Sequence, residues 1–276
     1  MNTRHKIKSL NVASIIVLFI FMAATVFPLY LMLATSTKSQ FEFATNFWGI
    51  GWPVEWSNFK TAWDAIYMYI FNSLKITFIT VLGITVLSVM TGYAFAKLEF
   101  KGKNFLYMVL LAFQMVPSAL LLIPQFVNVY KLGLYNTHAG VILPSLGGGS
   151  IVAVVLSRSF FEAISDAIFE SARIEGAGEI CIITKIVLPL SKPIVGTNAL
   201  LSFFGVFNAF TWPYIILSDD KLKTITIGLN KLTGQFGVNY GVQMAAYTII
   251  CVPLIILIAC TMRVYVAGIT VGAVKS

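Results

Sequence analysis

Apolar residues fall along the chain in six long blocks, at about 11–34, 72–96, 105–127, 139–157, 197–217 and 243–266. A hydrocarbon core of about 30 Å takes roughly 20 helical residues to cross, and each block approaches or exceeds that length. The pattern predicts an all-α polytopic membrane protein with six transmembrane helices, organised as one transmembrane domain over 1–276. The first block outruns the roughly 7–15 residues of a signal-peptide core, and no clear small-residue cleavage site follows it. It is expected to stay as a helix.

Composition sharpens this picture. Hydrophobic residues make up 58% of the chain and charged residues 11%, against about 25% charged in a soluble domain. Such a chain cannot cover a water-facing surface, which excludes a soluble enzyme. Its 14% aromatic content excludes disorder. The net charge of +8 reads as cytoplasmic loops, and no nucleic-acid partner is expected. Cys181, Cys251 and Cys260 lie in or near apolar stretches without metal-ligand spacing. They read as packing residues, with no disulfide framework.

Orientation follows from Lys and Arg, which favour cytoplasmic loops. One side collects Arg4, Lys6, Lys8, Lys97, Lys101, Lys103, Arg158, Arg173, Lys185, Lys192, Arg263 and Lys275. The other has Lys38, Lys60, Lys75, Lys131, Lys221, Lys223 and Lys231. Both termini are therefore expected in the cytoplasm. The first loop on the outer side, about 35–71, carries Phe41, Phe43, Phe47, Trp48, Trp52, Trp56 and Trp63. Two readings stand: anchoring at headgroup depth, where Trp is enriched, or docking of an external partner.

No block carries Asp, Glu, Arg or Lys near its centre, which argues against proton-coupled pumps and voltage sensors. His5 and His138 fall outside the blocks, so no histidine pair is available for zinc or for acid–base chemistry within the bilayer. No G-x-x-x-x-G-K-[ST] phosphate loop occurs. No catalytic and no metal site is expected. The polar residues inside blocks are neutral: Gln114, Ser118, Ser145, Asn198, Ser202, Asn208 and Thr211. They can hydrogen-bond helices together or line a wet path. Gly147-Gly148-Gly149 with Pro117, Pro124, Pro144, Pro213 and Pro253 imply kinked, closely packed helices.

The largest inner segment, about 158–196, breaks the pattern. From Ala167 to Glu175 apolar Ala167, Ile168, Ala172 and Ile174 alternate at helical spacing with Glu170, Arg173 and Glu175. Gly176 and Gly178 permit a sharp turn. A second helix is expected from Glu179 to Val187, closed by Pro189 and Pro193. This amphipathic helix–turn–helix is too apolar to be left in water and should be covered by another protein.

Glu170-Ser171-Ala172, then Gly176 after three residues, then Ile186-Val187-Leu188-Pro189 after nine, resembles the E-A-A-x3-G-x9-I-x-L-P pattern. That pattern marks the membrane subunits of ATP-binding-cassette importers. The resemblance extends over most of the chain and looks like the carbohydrate-uptake branch, in particular its maltose-type second membrane subunits. Asn72-Ser73-Leu74, Gly92-Tyr93-Ala94-Phe95-Ala96, Leu132-Gly133-Leu134 with Asn136-Thr137, Asn208, Pro213 and Gly234-Gln235-Phe236 are similar to that branch. So is the tail from Gly268 to Lys275. Ser171 departs from the usual Ala, Ile164-Ser165 from Ile-Pro, Glu175 from Asp, and Phe207 from a common Trp.

This resemblance implies a cytoplasmic coupling helix seated on an ATPase, carried by Glu170, Ser171, Ala172, Arg173, Glu175, Gly176, Leu188 and Pro189. It implies a second permease as heterodimer partner, two ATPase subunits, and an extracellular or periplasmic solute-binding protein. The location implied is a bacterial or archaeal inner membrane. No cofactor is implied in this chain, since ATP and Mg would be bound by the partner ATPase. The Lys275-Ser276 tail resembles tails that reach the ATPase. A neutral sugar suits neutral hydrogen-bonding groups beside aromatic faces, and Gln114, Phe207, Asn208, Trp212 and Tyr214 offer that mixture. Three rivals remain: a permease for glycerol phosphate, a peptide or another polar solute; an energy-independent channel; and an intramembrane enzyme, for which no residue cluster is present.

Overall fold

The computed structural model describes residues 12–235 and 239–273. Arg4, His5, Lys6, Lys8, Phe236, Lys275 and Ser276 lie outside the described residues. Those described form helices, with no strand among them. In chain order they are α1 (Val12–Ser36), α2 (Gln40–Thr45), α3 (Ser57–Lys97), α4 (Lys103–Gln114), α5 (Ser118–Lys131), α6 (His138–Glu162), α7 (Asp166–Ile174) and α8 (Glu179–Ile182). After a π turn at Ile183–Val187 come α9 (Leu188–Leu190), α10 (Lys192–Phe207), α11 (Thr211–Ile216), α12 (Ile225–Gln235) and α13 (Tyr240–Ala273). Four helices are long and apolar enough to cross a membrane, and the number rises to six when each of two bent pairs counts as one span.

The helices depart from the expected blocks where backbone chemistry intervenes. The block at 105–127 is two helices, α4 and α5, meeting at 101° across residues 115–117. Pro117 supplies no N–H and pushes the residue before it out of helical geometry. The block at 197–217 starts earlier, at Lys192, and opens between Asn208 and Phe210 before α11 resumes. Pro189 does not close the second amphipathic helix at once. A proline ring collides with the carbonyl four residues back, and the chain widens into the π turn, where the Leu188 N–H reaches the Ile183 carbonyl. The run then bends by 84° into α10. Well over half of the expected 35–71 loop is helical, because α2 lies within it and α3 begins at Ser57 and runs for 41 residues.

The described residues fall into two compact units, one within 12–67 and 229–254 and the other within 68–228 and 255–273. In the first, the Ser39 hydroxyl and the Glu42 carboxylate cap α2 reciprocally. In the second, Ile76, Val129, Val141, Ile142, Ile216 and Leu217 form one buried cluster. Beside it Asn136, at φ 55, accepts the N–H groups of Ser218 and Asp219 at 3.0 and 2.9 Å. Asn72 Nδ2 donates to the Lys221 and Lys223 carbonyls, and the Ser73 hydroxyl accepts the Ile225 N–H at 2.8 Å. Asn72, Ser73 and Asn136 thus tie the chain across long sequence distances.

Candidate functional site

Helix α7 shows its amphipathic pattern directly. Phe169 and Ala172 are buried, while Ile168, Glu170, Ser171, Arg173 and Ile174 are exposed. Asp166 in the first turn and Arg173 in the last complement the helix dipole. The helix stops at a paired-bond ending: the Gly176 N–H donates to the Arg173 carbonyl at 3.0 Å and the Ala177 N–H to the Ala172 carbonyl at 2.9 Å. That ending puts Gly176 at φ 84, in the left-handed region. A Cβ there would meet nothing within 4 Å, so within this chain the glycine is needed for its backbone angle. Gly178, at φ −74 and ψ 159, is extended backbone open to any residue. The turn rests on Gly176 alone.

Three side chains fasten this element from beneath. The Lys97 ammonium, 5% exposed, donates to the Ile164 carbonyl and to Asp166 Oδ1, each at 2.6 Å. It also lies 5.1 Å from the centre of the Phe169 ring. The Tyr93 hydroxyl, on a side chain 1% exposed, donates to the Glu179 carboxylate. Arg173 Nε donates to the same carboxylate at 3.0 Å, and its Nη2 reaches the Tyr93 oxygen at 3.3 Å. The Arg173 hydrogen bond holds the Glu179 carboxyl below the usual glutamate range, and Lys97 does the same for Asp166. Val89, Tyr93, Phe161, Phe169, Ile182 and Val187 form the apolar floor. Gly92 lets α3 and α6 touch, since a Cβ on it would stand 2.7 Å from the Ser157 Cβ.

The expected coupling residues sort into two groups on this scaffold. Glu170, Ser171, Glu175 and Gly176 face outward, and neither acid has a partner among the described residues. Ile174 and Ile180 stand beside them at 87% and 76% exposure. Ala172 is buried, Arg173 is engaged by Glu179, Leu188 packs on the apolar floor, and Pro189 shapes the backbone after the π turn. Lys97, Tyr93, Asp166 and Glu179 were not singled out in the sequence. Lys97 counted there only as a positive charge, and Tyr93 only as one letter of a shared string.

The five candidate pathway residues have different fates. Phe207 is buried and stacks on Phe203 at 5.5 Å. The Trp212 indole N–H donates to the Gly140 carbonyl at 3.2 Å. Tyr214 is exposed and stacks on Phe210 at 5.3 Å. Asn208 caps α10 with its backbone, and its side chain, like that of Gln114, is exposed and without a partner among the described residues. None of the five lines the groove of about 440 Å³ in the second unit, which Ile84, Ser145, Gly149, Asn198, Ser202 and Gly205 help to form. Gly149 there faces Ile84, whereas Gly147 and Gly148 face open space. Among the described residues no three of His, Cys, Asp or Glu converge as metal ligands would.

Known proteins share both the sequence and the fold. A family model described as the inner membrane component of binding-protein-dependent transport systems matches residues 84–270. The chain is 31% identical to the probable ABC transporter permease YurM of Bacillus subtilis, covering 94% of this chain and 86% of that protein. It is 36% identical to the arabinooligosaccharides transport system permease AraQ of Halalkalibacterium halodurans, covering 74% and 72%. It is 31% identical to the maltose/maltodextrin transport system permease MalG of Photorhabdus laumondii, covering 95% of each. A chain in the crystal structure of a bacterial ABC transporter for the acidic polysaccharide alginate has the same fold, with a TM-score of 0.83, 22% identity, and 91% and 95% coverage. With two thirds of its length matched by the family model and relatives similar almost end to end, this multi-pass chain belongs to the family of inner membrane components of binding-protein-dependent transport systems.

Proposed function

We propose that the chain is a permease subunit of an ATP-driven importer, moving a sugar or oligosaccharide handed over by an external solute-binding protein. The relatives named for arabinooligosaccharides and for maltose and maltodextrin support the substrate class. ATP and Mg belong to a partner ATPase, and this chain, which has no phosphate loop, transmits the work. A second, different permease and two ATPase subunits complete the assembly, with both termini on the ATPase side. Asn208, Gln114 and Tyr214 are the residues free to meet a polyol, through two amides and one aromatic face.

One observation carries the coupling role. The α7–turn–α8 element presents Glu170, Glu175, Ile174 and Ile180 outward from a floor pinned by Lys97, Tyr93 and Glu179. Exposed isoleucines beside uncommitted acids make poor water-facing surface and good protein-facing surface. Glu170 can take a charge-assisted hydrogen bond from a basic partner residue.

Ile174→Asp and Glu170→Lys change that surface without touching the floor. Purified in mild detergent, either variant is expected to lose the co-purifying ATPase and ATP-dependent uptake of neutral oligosaccharide, while its thermal stability stays unchanged. Full ATPase recovery and normal uptake in both variants would overturn the coupling role. Uptake of glycerol phosphate in preference to oligosaccharide would overturn the substrate class alone.

A further inference from the structure

Between the end of α1 at Ser36 and the start of α3 at Ser57, Lys38 is turned inward and aromatic surface outward. Lys38 is 1% exposed, and its ammonium donates to the Phe47 carbonyl at 2.7 Å. Glu42 is tied back twice, accepting the Ser39 N–H at 3.1 Å and the Trp52 N–H at 3.2 Å. The Gly51 N–H donates to the Thr37 hydroxyl, and Asn58 Nδ2 donates to the Ser36 and Lys38 carbonyls. Outward stand Phe41, Trp48, Ile50, Trp52 and Trp56, with Trp52 at 84% exposure and Trp56 at 71%. A loop built for water has the opposite arrangement.

The loop also folds back along the membrane-crossing helix that precedes it. The Tyr30 hydroxyl donates to the Trp48 carbonyl at 2.7 Å, and the Phe27 and Trp48 rings lie 6.0 Å apart. Tyr30 and Phe27 precede Ser36 by six and nine residues, roughly 9 and 14 Å along a helix axis. Trp48 therefore sits level with the last turns of α1 rather than above its end. By length and composition α1 qualifies as a membrane span over Ser14–Ser36, and the level of Trp48 falls within that stretch.

We infer that residues 41–56 form a membrane-seated wedge, with Phe41, Trp48, Trp52 and Trp56 lodged among the headgroups and upper acyl chains of the leaflet that meets the carboxyl end of α1. Tryptophan is favoured at that depth, and interfacial segments bury their apolar face to about 5–10 Å. Lys38 is buried, Glu42 is tied to the Ser39 and Trp52 N–H groups and Glu55 accepts the Ser57 hydroxyl, so each charge in this stretch has a partner, and internal hydrogen bonds relieve the backbone's need for water.

The test is tryptophan quenching in the full-length chain reconstituted into lipid nanodiscs. Chains keeping only Trp48 or only Trp52, with the other tryptophans replaced by Phe, are compared in lipids brominated high or low on the acyl chain, and against aqueous iodide. High-placed bromines are expected to remove most of the emission at both positions, and iodide little. Should a single-tryptophan chain fail to fold, Trp48→Phe and Trp52→Phe in the otherwise unaltered chain must each reduce the lipid-quenchable fraction. Strong iodide quenching with no effect of brominated lipid would overturn the wedge and give the surface to a soluble partner. Transport is not measured, so the outcome is independent of the importer reading.

Discussion

Lys97 Nζ stands 2.6 Å from Asp166 Oδ1, joining the last residue of α3 to the first residue of α7. The two ends of this ion pair differ sharply, for the lysine side chain is 5% exposed and the aspartate 76%. The lysine also bonds the Ile164 carbonyl, so it holds α7 even without the carboxylate. Asp166→Asn is therefore expected to be mild, as exposed ion pairs contribute about 0–1 kcal/mol. Lys97→Met removes both bonds and should loosen α7. Limited proteolysis between residues 163 and 180 reads this out: faster cleavage in Lys97→Met than in Asp166→Asn is expected, and equal rates would argue against the lysine as the main fastening.

The same pinned floor sets a pH dependence. The carboxyls of Glu179 and Asp166 are held below their ordinary values by hydrogen bonds from Arg173 and Lys97. A depressed folded-state value means stabilisation fully present above the unfolded value, about 4 for these side chains, and lost as pH falls through the folded value. Cleavage within the α7 turn should stay flat from neutral pH down to about 5 and rise below about 4. Glu179→Gln should remove most of that acid response. An unchanged acid response in this variant would point to other carboxyls.

Gly176 separates two roles for one residue. At φ 84 with no atom within 4 Å of a virtual Cβ, strain inside the chain is conformational and not steric. A residue other than glycine in that region costs about 1–3 kcal/mol, with Asn the best tolerated. If the angle alone matters, coupled ATPase activity should rank Gly, Asn, Ala, Val, from highest to lowest. If an ATPase backbone must approach Gly176 closely, Ala will outperform Asn because it is smaller. Either order is decisive between the two.

How much of this was legible in advance depended on the distance over which residues cooperate. The short amphipathic helix, its glycine turn and the outward Glu170 follow from neighbours within a few positions, and the structure has the same elements. The roles of Lys97, Tyr93 and Glu179 join residues up to 86 positions apart, and no local spacing encodes them. Asn72, Ser73 and Asn136 matched the family as letters, yet their bonds to residues 218–225 were invisible. Pro117 implies a kink in the block at 105–127, but not that the kink reaches 101°, because apolar content predicts a span's length and not its straightness.

Close helix packing gives a prediction with its own rescue. A methyl on Gly92 would lie 2.7 Å from the Ser157 Cβ and 3.2 Å from the Arg158 backbone nitrogen. Gly92→Ala must push α3 and α6 apart, and overpacking of this kind costs about 1–3 kcal/mol. Ser157→Gly removes the nearer of the two clashes but also the hydroxyl that accepts from Asn198, so Gly92→Ala should cost less thermal stability in a Ser157→Gly background than in the unaltered chain. An equal cost of Gly92→Ala in both backgrounds would place it in the backbone contact at Arg158.

Asn198 is buried between α10 and α6, donating its amide to the Ala153 carbonyl and the Ser157 oxygen, each at 3.0 Å. The bond to a carbonyl fixes the amide's orientation and leaves Oδ1 without a partner among the described residues. Interhelical hydrogen bonds within membranes average about 0.6 kcal/mol and reach about 1.7, so Asn198→Ala should lower thermal stability only modestly. Asn198→Asp should be far worse, because a carboxylate cannot donate to the Ala153 carbonyl and would carry its charge into an apolar groove. Scanning fluorimetry of the three proteins in one detergent gives the ranking. Equal melting temperatures for the Asp and Ala variants would mean that water already fills this site and solvates the amide.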